Sequence, residues 1–293
     1  MDDADPKRDG RAAAAALQAE MALAGLAGRS PDGRAKRRPS AMTFQFRVLK
    51  ALVLRDMASR HGESRLGYLM GILLPILTMT VIMLAFGLRG RTTPADFSLG
   101  AFVVTGYPLW QGFQGMYQRV LRAASKSDPL LMFPQITQLD LILAAIILEI
   151  ATTTVVFVLL VIGVLVVFQD PLPEDPVGVL LCFWACAWLG AALGLILSAV
   201  ARVAPTVVTI INSFMRFGMW FSGVIFAVNR LPSWSWPYLR WNPLLHCIEG
   251  ARHSWTSSFD APIFDPVYIV AVGFVLTTFG FVLERASRRF VGS

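Results

Sequence analysis

A few polar side chains sit inside long apolar stretches of this chain, and they define the chemistry open to it. Tyr107, Gln111, Gln114 and Gln118 recur at spacings of four, three and four, which puts four hydrogen-bonding groups on one face of a helix. Thr209, Asn212, Ser213, Arg216 and Trp220 form a comparable stripe, and Glu149 stands alone among apolar neighbours. Two readings stand side by side. In one, Glu149 and Arg216 pair and simply pin two helices together. In the other, the two stripes line a path for a hydroxyl-rich substrate. Amides and hydroxyls suit sugars, and Trp220 or Tyr107 could stack on a sugar face. Replacing Arg216 by alanine separates the readings, since a pin is lost as assembly and a path as transport.

Bond-making chemistry is harder to find. There is no G-x-x-x-x-G-K-[ST] phosphate loop, no G-x-G-x-x-G and no H-E-x-x-H. His246, Glu249 and His253, at i, i+3 and i+7 of one helix, come closest to the acid or metal site that a glycolipid-modifying membrane enzyme would need. Cys182 and Cys186 lie one helical turn apart with no further ligands nearby in sequence, and read as small core thiols. A secondary transporter using Glu149 as its proton site would be expected to carry inverted repeats, and no internal repeat is evident. No cofactor is expected in this chain, so any energy source belongs to another one.

The elements that must position these groups follow from composition. The chain has 293 residues, of which 55% are hydrophobic and 15% charged, with a net charge of +7 and a mean hydropathy of +0.59. A soluble domain carries roughly a quarter charged residues, so the expected class is an all-α, polytopic membrane protein. A spanning helix needs roughly 20 apolar residues, and six candidates are present at 66–88, 99–118, 141–168, 177–201, 206–228 and 266–283. Pro75 and Pro108 fall inside spans, where neighbouring helices can satisfy the freed carbonyls. Thirteen Lys and Arg residues precede the first span, and Arg119, Arg122, Lys126, Arg202, Arg285, Arg288 and Arg289 fall on the same side if the spans number six. The other side holds fewer basic residues and Asp96, Asp170, Glu174, Asp175, Glu249, Asp260 and Asp265. Both termini are therefore expected in the cytoplasm. The basic balance records topology, and nucleic acid is not an expected partner.

Residues 1–42 read as a disordered or loosely helical cytoplasmic tail, 43–61 as an amphipathic helix lying in the interface, and 62–293 as the six-span domain. Phe46, Val48, Leu49, Leu52, Val53 and Met57 share one side of that first helix, with Arg47, Lys50 and Arg55 opposite. In the cytoplasmic loop, Ser127, Asp128 and Pro129 form a helix start. Leu130, Leu131, Met132 and Phe133 follow as an apolar patch and Pro134 ends it. That patch is either a docking knob for a cytoplasmic subunit or a lipid-skimming connector. The outer segment after the fifth span holds Trp234, Trp236, Trp241 and Trp255. Its tryptophans favour the membrane boundary, so short re-entrant helices are expected there, one around 244–254. Gly67-x-x-x-Gly71 and Gly190-x-x-x-Gly194, with Ser198 one turn on, are small-residue faces for intramolecular packing or for a homodimer seam.

Three stretches together resemble a known family. Leu49 to Leu77 (LKALVLRDMASRHGESRLGYLMGILLPIL) resembles the amphipathic helix and first span of polysaccharide-type ABC exporter permeases, with Met70 where the family would carry tryptophan. Phe221 to Pro232 (FSGVIFAVNRLP) and Trp241 to Trp255 (WNPLLHCIEGARHSW) resemble the end of its fifth span and its re-entrant outer segment. The order of elements matches over about residues 44–290. Capsular polysaccharide permeases look closest, with O-antigen and teichoic-acid permeases as near relatives. The resemblance implies a homodimer bound to separate ATPase subunits that hold ATP and Mg, in a bacterial inner membrane. It implies a lipid-linked glycan as substrate, and periplasmic export components as further partners. It assigns ATPase coupling to about 44–60 and 127–134, hence to Arg55, Asp56, Ser127, Asp128, Pro129, Leu130, Phe133 and Pro134. The tail 1–42 falls outside it. A drug or small-lipid permease of the same fold is the nearest alternative.

Overall fold

A computed structural model describes residues 49–54, 65–88, 97–125, 137–215 and 217–291. All regular structure among them is helical. The chain divides into two compact units, one of residues 1–72 and 128–148, the other of residues 73–127 and 149–293.

In the first unit, residues 49–54 are helical, with Leu52 buried and Lys50 and Leu54 exposed. The rest of the expected 43–61 helix, and the tail, lie outside the described residues. Helix α1 (Arg65–Leu88) begins here and carries Pro75 in its interior. Helix α4 (Gln138–Phe168) also begins here. Its start is a reciprocal cap: the Thr137 backbone N–H and hydroxyl both donate to Asp140 Oδ2 at 2.8 Å, and the Asp140 N–H donates to Thr137 Oγ1 at 3.3 Å.

The second unit is organised around α5 (Pro176–Val203). Asp175 caps it, accepting from Gly178 N at 2.9 Å, and Pro176 occupies the first turn, where its missing N–H costs nothing. Helix α3 (Tyr107–Ser125) lies along α5 in the same direction, because Gly112 abuts Phe183, Phe113 abuts Gly190, and Tyr117 abuts Gly194. Helix α10 (Pro266–Val291) is also parallel to α5. Trp188 Nε1 donates to Thr277 Oγ1 at 3.0 Å, and Arg202 meets Glu284 at 3.1 Å and Ser287 at 2.9 Å. The 149–168 part of α4 runs the other way: Phe157 stacks on Phe183 at 4.5 Å, and Trp184 Nε1 donates to Thr154 Oγ1 at 3.1 Å.

Helices α4, α5 and α10 are long and apolar enough to cross a membrane, and 73–85 and 205–215 are shorter apolar helical stretches. Outward-facing Val155, Val166, Val167, Val267, Phe274 and Val282 are all more than half exposed, the pattern of helices that meet lipid. The expected second span is interrupted. It begins as α2 (Leu99–Val104), breaks at Thr105–Gly106, and continues as α3. The Thr105 hydroxyl donates back to the carbonyls of Ala101 and Phe102 at 2.7 and 3.3 Å, and Pro108 has no N–H to extend the first ladder.

The expected fifth span is interrupted too. Helix α6 (Pro205–Met215) and the short α7 (Gly218–Phe221) are followed by a turn at Gly223, whose φ is +78°. Leu245 fills the space a Cβ would need there, so only glycine fits. Beyond it come single turns at Val228–Arg230 and Ser233–Ser235, then α8 (Trp236–Leu239) and α9 (Pro243–Trp255). The helix expected around 244–254 is thus present as α9, capped by Asn242, which accepts from Leu244 N at 3.1 Å.

Candidate transport path

Helix α3 has two chemically different sides. Phe113, Met116, Tyr117 and Val120 are buried. They can approach α5 because Gly190 and Gly194 present no side chain there: a Cβ on Gly194 would sit 2.7 Å from the Tyr117 carbonyl oxygen, and one on Gly190 would strike that of Phe113. The Gly190-x-x-x-Gly194 face is therefore intramolecular packing. The surroundings of Gly67 and Gly71 lie outside the described residues.

The other side of α3 carries the amides, half-buried at Gln111, Gln114 and Gln118. Gln111 Nε2 donates to the Tyr107 hydroxyl at 2.8 Å, and Gln118 Oε1 accepts from Arg122 at 3.5 Å. Gln114 Nε2 donates to the Met215 carbonyl at 3.4 Å, which brings the α3 row against the end of α6. Glu149 joins the same face: its Oε2 lies 3.9 Å from Arg119 Nε, and a Cβ on Gly115 would sit 3.2 Å from its Oε1. The described partner of Glu149 is thus Arg119, a residue the sequence reading placed in the cytoplasmic loop. Arg216 lies outside the described residues.

Asn212 is half-buried with its Oδ1 sealed from solvent, while Thr209 and Ser213 turn their hydroxyls back onto their own helix. Trp220 stands 59% exposed beside exposed Phe214, Phe217 and Phe221. The residues expected to couple to an ATPase, Arg55, Asp56, Ser127, Asp128, Pro129, Leu130, Phe133 and Pro134, all lie outside the described residues.

The enzyme-like trio does not converge. His246 Nδ1 accepts from the Asp265 N–H at 3.2 Å, so its Nε2 carries the proton and donates to the Arg240 carbonyl at 2.8 Å. Burial holds this imidazole below its usual pKa, in keeping with that neutral form. His253 bonds the Phe259 carbonyl at 3.1 Å. Glu249 turns to Arg252 at 3.1 Å, and both side chains are wholly buried. No group of three or more potential metal ligands is found among the described residues, and the three cysteines are buried free thiols.

Arg252 is the buried charge that sequence reasoning did not single out. Its guanidinium donates to the carbonyls of Gly223 at 2.7 Å and Phe226 at 2.9 Å, and lies 4.0 Å over the Phe102 ring. The available signal was the Glu-x-x-Arg spacing of 249 and 252, which lets one side chain neutralise the other on a helix face.

A family profile described as ABC-2 type transporter matches residues 47–255. The chain is 27% identical to the capsule polysaccharide export inner-membrane protein CtrC of Neisseria meningitidis serogroup B, covering 83% of this chain and 92% of that one. It is 26% identical to BexB of Haemophilus influenzae, also named a capsule polysaccharide export inner-membrane protein, covering 73% and 81%. It is likewise 26% identical to the polysialic acid transport protein KpsM of Escherichia coli, covering 73% and 83%. The chain belongs to the ABC-2 type transporter family and is a transport subunit, not an enzyme.

Proposed function

We propose that the chain is the membrane-spanning subunit of an ATP-driven exporter that moves a lipid-linked capsular polysaccharide outward across the cytoplasmic membrane. The observation that carries this reading is the row of amides on α3, held against the end of α6 by Gln114. An apolar drug or lipid would gain nothing from three glutamines, each costly to keep in hydrocarbon. A sugar chain offers hydroxyls to every one of them. The names of the relatives point the same way.

ATP and Mg reside on a separate ATPase subunit, and the permease pairs with a second copy of itself. The segments 44–60 and 127–134 take up the ATPase stroke, and export components beyond the membrane complete the route. Six crossings are supported by the helix directions. Because α5 and α10 run parallel, the chain between Val203 and Pro266 returns along the length of α5, and α6, α7 and the turn at Gly223 are the elements available for that return. The parallel course of α3, α5 and α10 also gathers Arg119, Arg122, Arg202 and Arg285 at one end and Asp170, Glu174 and Asp175 at the other. That separation supports cytoplasmic termini. Helices α8 and α9 then dip into the outer leaflet, with exposed Trp234 and Trp241 at the boundary.

The test is purification of the complex from its native membrane. A stoichiometric ATPase should accompany the permease, and deleting Ser127–Pro134 should abolish that association and the accumulation of glycan outside the cell. A stable permease that never brings down an ATPase refutes the assignment.

A further inference from the structure

The two interrupted spans are broken at one place. Gly106, in the break between α2 and α3, packs against the turn that follows α7: a Cβ there would sit 3.2 Å from the Val224 carbonyl oxygen and 3.3 Å from an Arg252 terminal nitrogen. Broken helices leave carbonyls without intrahelical partners, and in a water-free core such groups must be satisfied by protein. Arg252 satisfies two of them, Gly223 and Phe226, from a third element, α9, while Phe102 of α2 lies beneath its guanidinium. One side chain therefore ties together α2, the Gly223–Val228 turn and α9.

The tie is not one a purely static staple would use. The guanidinium and its counter-charge are wholly buried, yet Arg252 Nε and Glu249 Oε2 have no hydrogen-bond partner. A buried pair with unmet donors and acceptors is a poor source of stability compared with apolar packing. It is well suited to an arrangement with two states, because water entering on opening can satisfy the atoms that closure leaves unmet.

We propose that Arg252 is a positioning residue that latches the outer turn, residues 223–228, closed over the end of the path, and that the turn opens when the guanidinium releases the Gly223 and Phe226 carbonyls. This rests on the exporter reading for its purpose but not for its geometry.

The test uses the full permease in cells. Ala227, buried in the turn, is replaced by cysteine, and a membrane-impermeant maleimide is applied from outside. The native thiols are all buried. The Ala227→Cys protein should label slowly. Adding Arg252→Lys, which keeps the charge but cannot span both carbonyls, should raise the labelling rate per folded molecule at least fivefold. Phe102→Leu, which removes only the ring under the guanidinium, should raise it about twofold. Unchanged labelling in recoverable Arg252→Lys protein overturns the proposal. Where that variant fails to fold, unchanged labelling with Phe102→Leu overturns it equally. Labelling needs neither ATPase nor glycan, so a failed latch is distinguishable from a failed exporter assignment, which ATPase co-purification reads separately.

Discussion

Replacing Gly194 by valine tests the packing on which the α3 amide row depends. A Cβ at this position would lie 2.7 Å from the Tyr117 carbonyl oxygen and 2.7 Å from Val120 Cβ, whereas ordinary contact begins at 3.4 Å. The Tyr117 oxygen is backbone and cannot rotate aside, so α5 must withdraw from α3 by about 0.7 Å for the Cβ alone. A gap of that size forfeits roughly a quarter to a half of each facing atom pair's attraction. Over on the order of 30 pairs at about 0.15 kcal/mol each, the loss is about 1–2 kcal/mol. Two further methyl groups bring it to about 2–3 kcal/mol, only slightly offset by the better helix propensity of valine. Gly163 is the control: nothing lies within 4 Å of a Cβ there, so Gly163→Ala should be neutral or stabilising by up to about 1 kcal/mol. The assay is thermal melting of the detergent-purified permease, read as the monodisperse fraction that survives heating. Gly194→Val should melt well below wild type, with Gly163→Ala at or above it. Equal melting of Gly194→Val and wild type would refute the close approach. Loss of self-association without a change in melting would restore the alternative of a seam between copies.

Three more outcomes follow from the same geometry. Gln111→Leu, Gln114→Leu and Gln118→Leu should each lower glycan export about two- to tenfold, the worth of one hydrogen bond, with permease abundance and ATPase binding unchanged; a parallel fall in abundance would make the row structural. The double variant Glu249→Leu with Arg252→Met removes a buried pair yet should remain about 2–6 kcal/mol less stable than wild type by melting, because it orphans the Gly223 and Phe226 carbonyls, and full recovery of stability would show that those two bonds contribute nothing. Glu174 accepts from the Ser257 N–H at 2.9 Å and the Thr256 hydroxyl at 3.2 Å, and these hydrogen bonds, those of Ser257 first, hold its pKa below the ordinary value of 4.5. A depressed carboxylate stabilises above its unfolded pKa and loses that effect as pH falls through the folded one, so the protection factor of the Ser257 amide, its exchange rate relative to the intrinsic rate at each pH, should hold above about pH 4.5 and fall below it in wild type, while Glu174→Gln should show no such pH step.

The long spans were legible because lipid imposes one requirement on every position. The helices expected at 141–168, 177–201 and 266–283 appear as α4, α5 and α10 with starts one to three residues earlier or unchanged. Those starts are set by local chemistry that sequence displays openly, namely Thr137 with Asp140, and Asp175 with Pro176. The breaks inside the second and fifth expected spans were not legible, for a different reason. A hydropathy window counts apolar side chains, and a break changes none of them. Thr105 and Gly223 are as compatible with a continuous helix, by composition, as with the back-bonded break and positive-φ turn that they form.

The Glu249 pairing of Arg252 had a signal in the spacing, but its other contacts were unreadable for the same reason carried one step further. Besides Glu249, its partners are two backbone carbonyls, which every residue possesses, and the carbonyls are free only because the fifth span is broken. Without the break the guanidinium would keep Glu249 but bury most of its donors unmet, at a high cost; without the guanidinium the break would leave carbonyls unmet in an apolar interior. Neither feature is stable alone, so neither can be inferred from its own segment. Glu149 follows the same logic with a milder outcome: its pairing with Arg119 became visible only when α3 and α4 were set side by side. The residues most open to sequence reasoning are those whose partner is solvent or lipid. Those whose partners are other side chains and backbone groups answer to other elements of the fold, and a substitution such as Arg252→Lys should therefore disturb the Gly223 turn, about thirty positions away in sequence, more than its own helix.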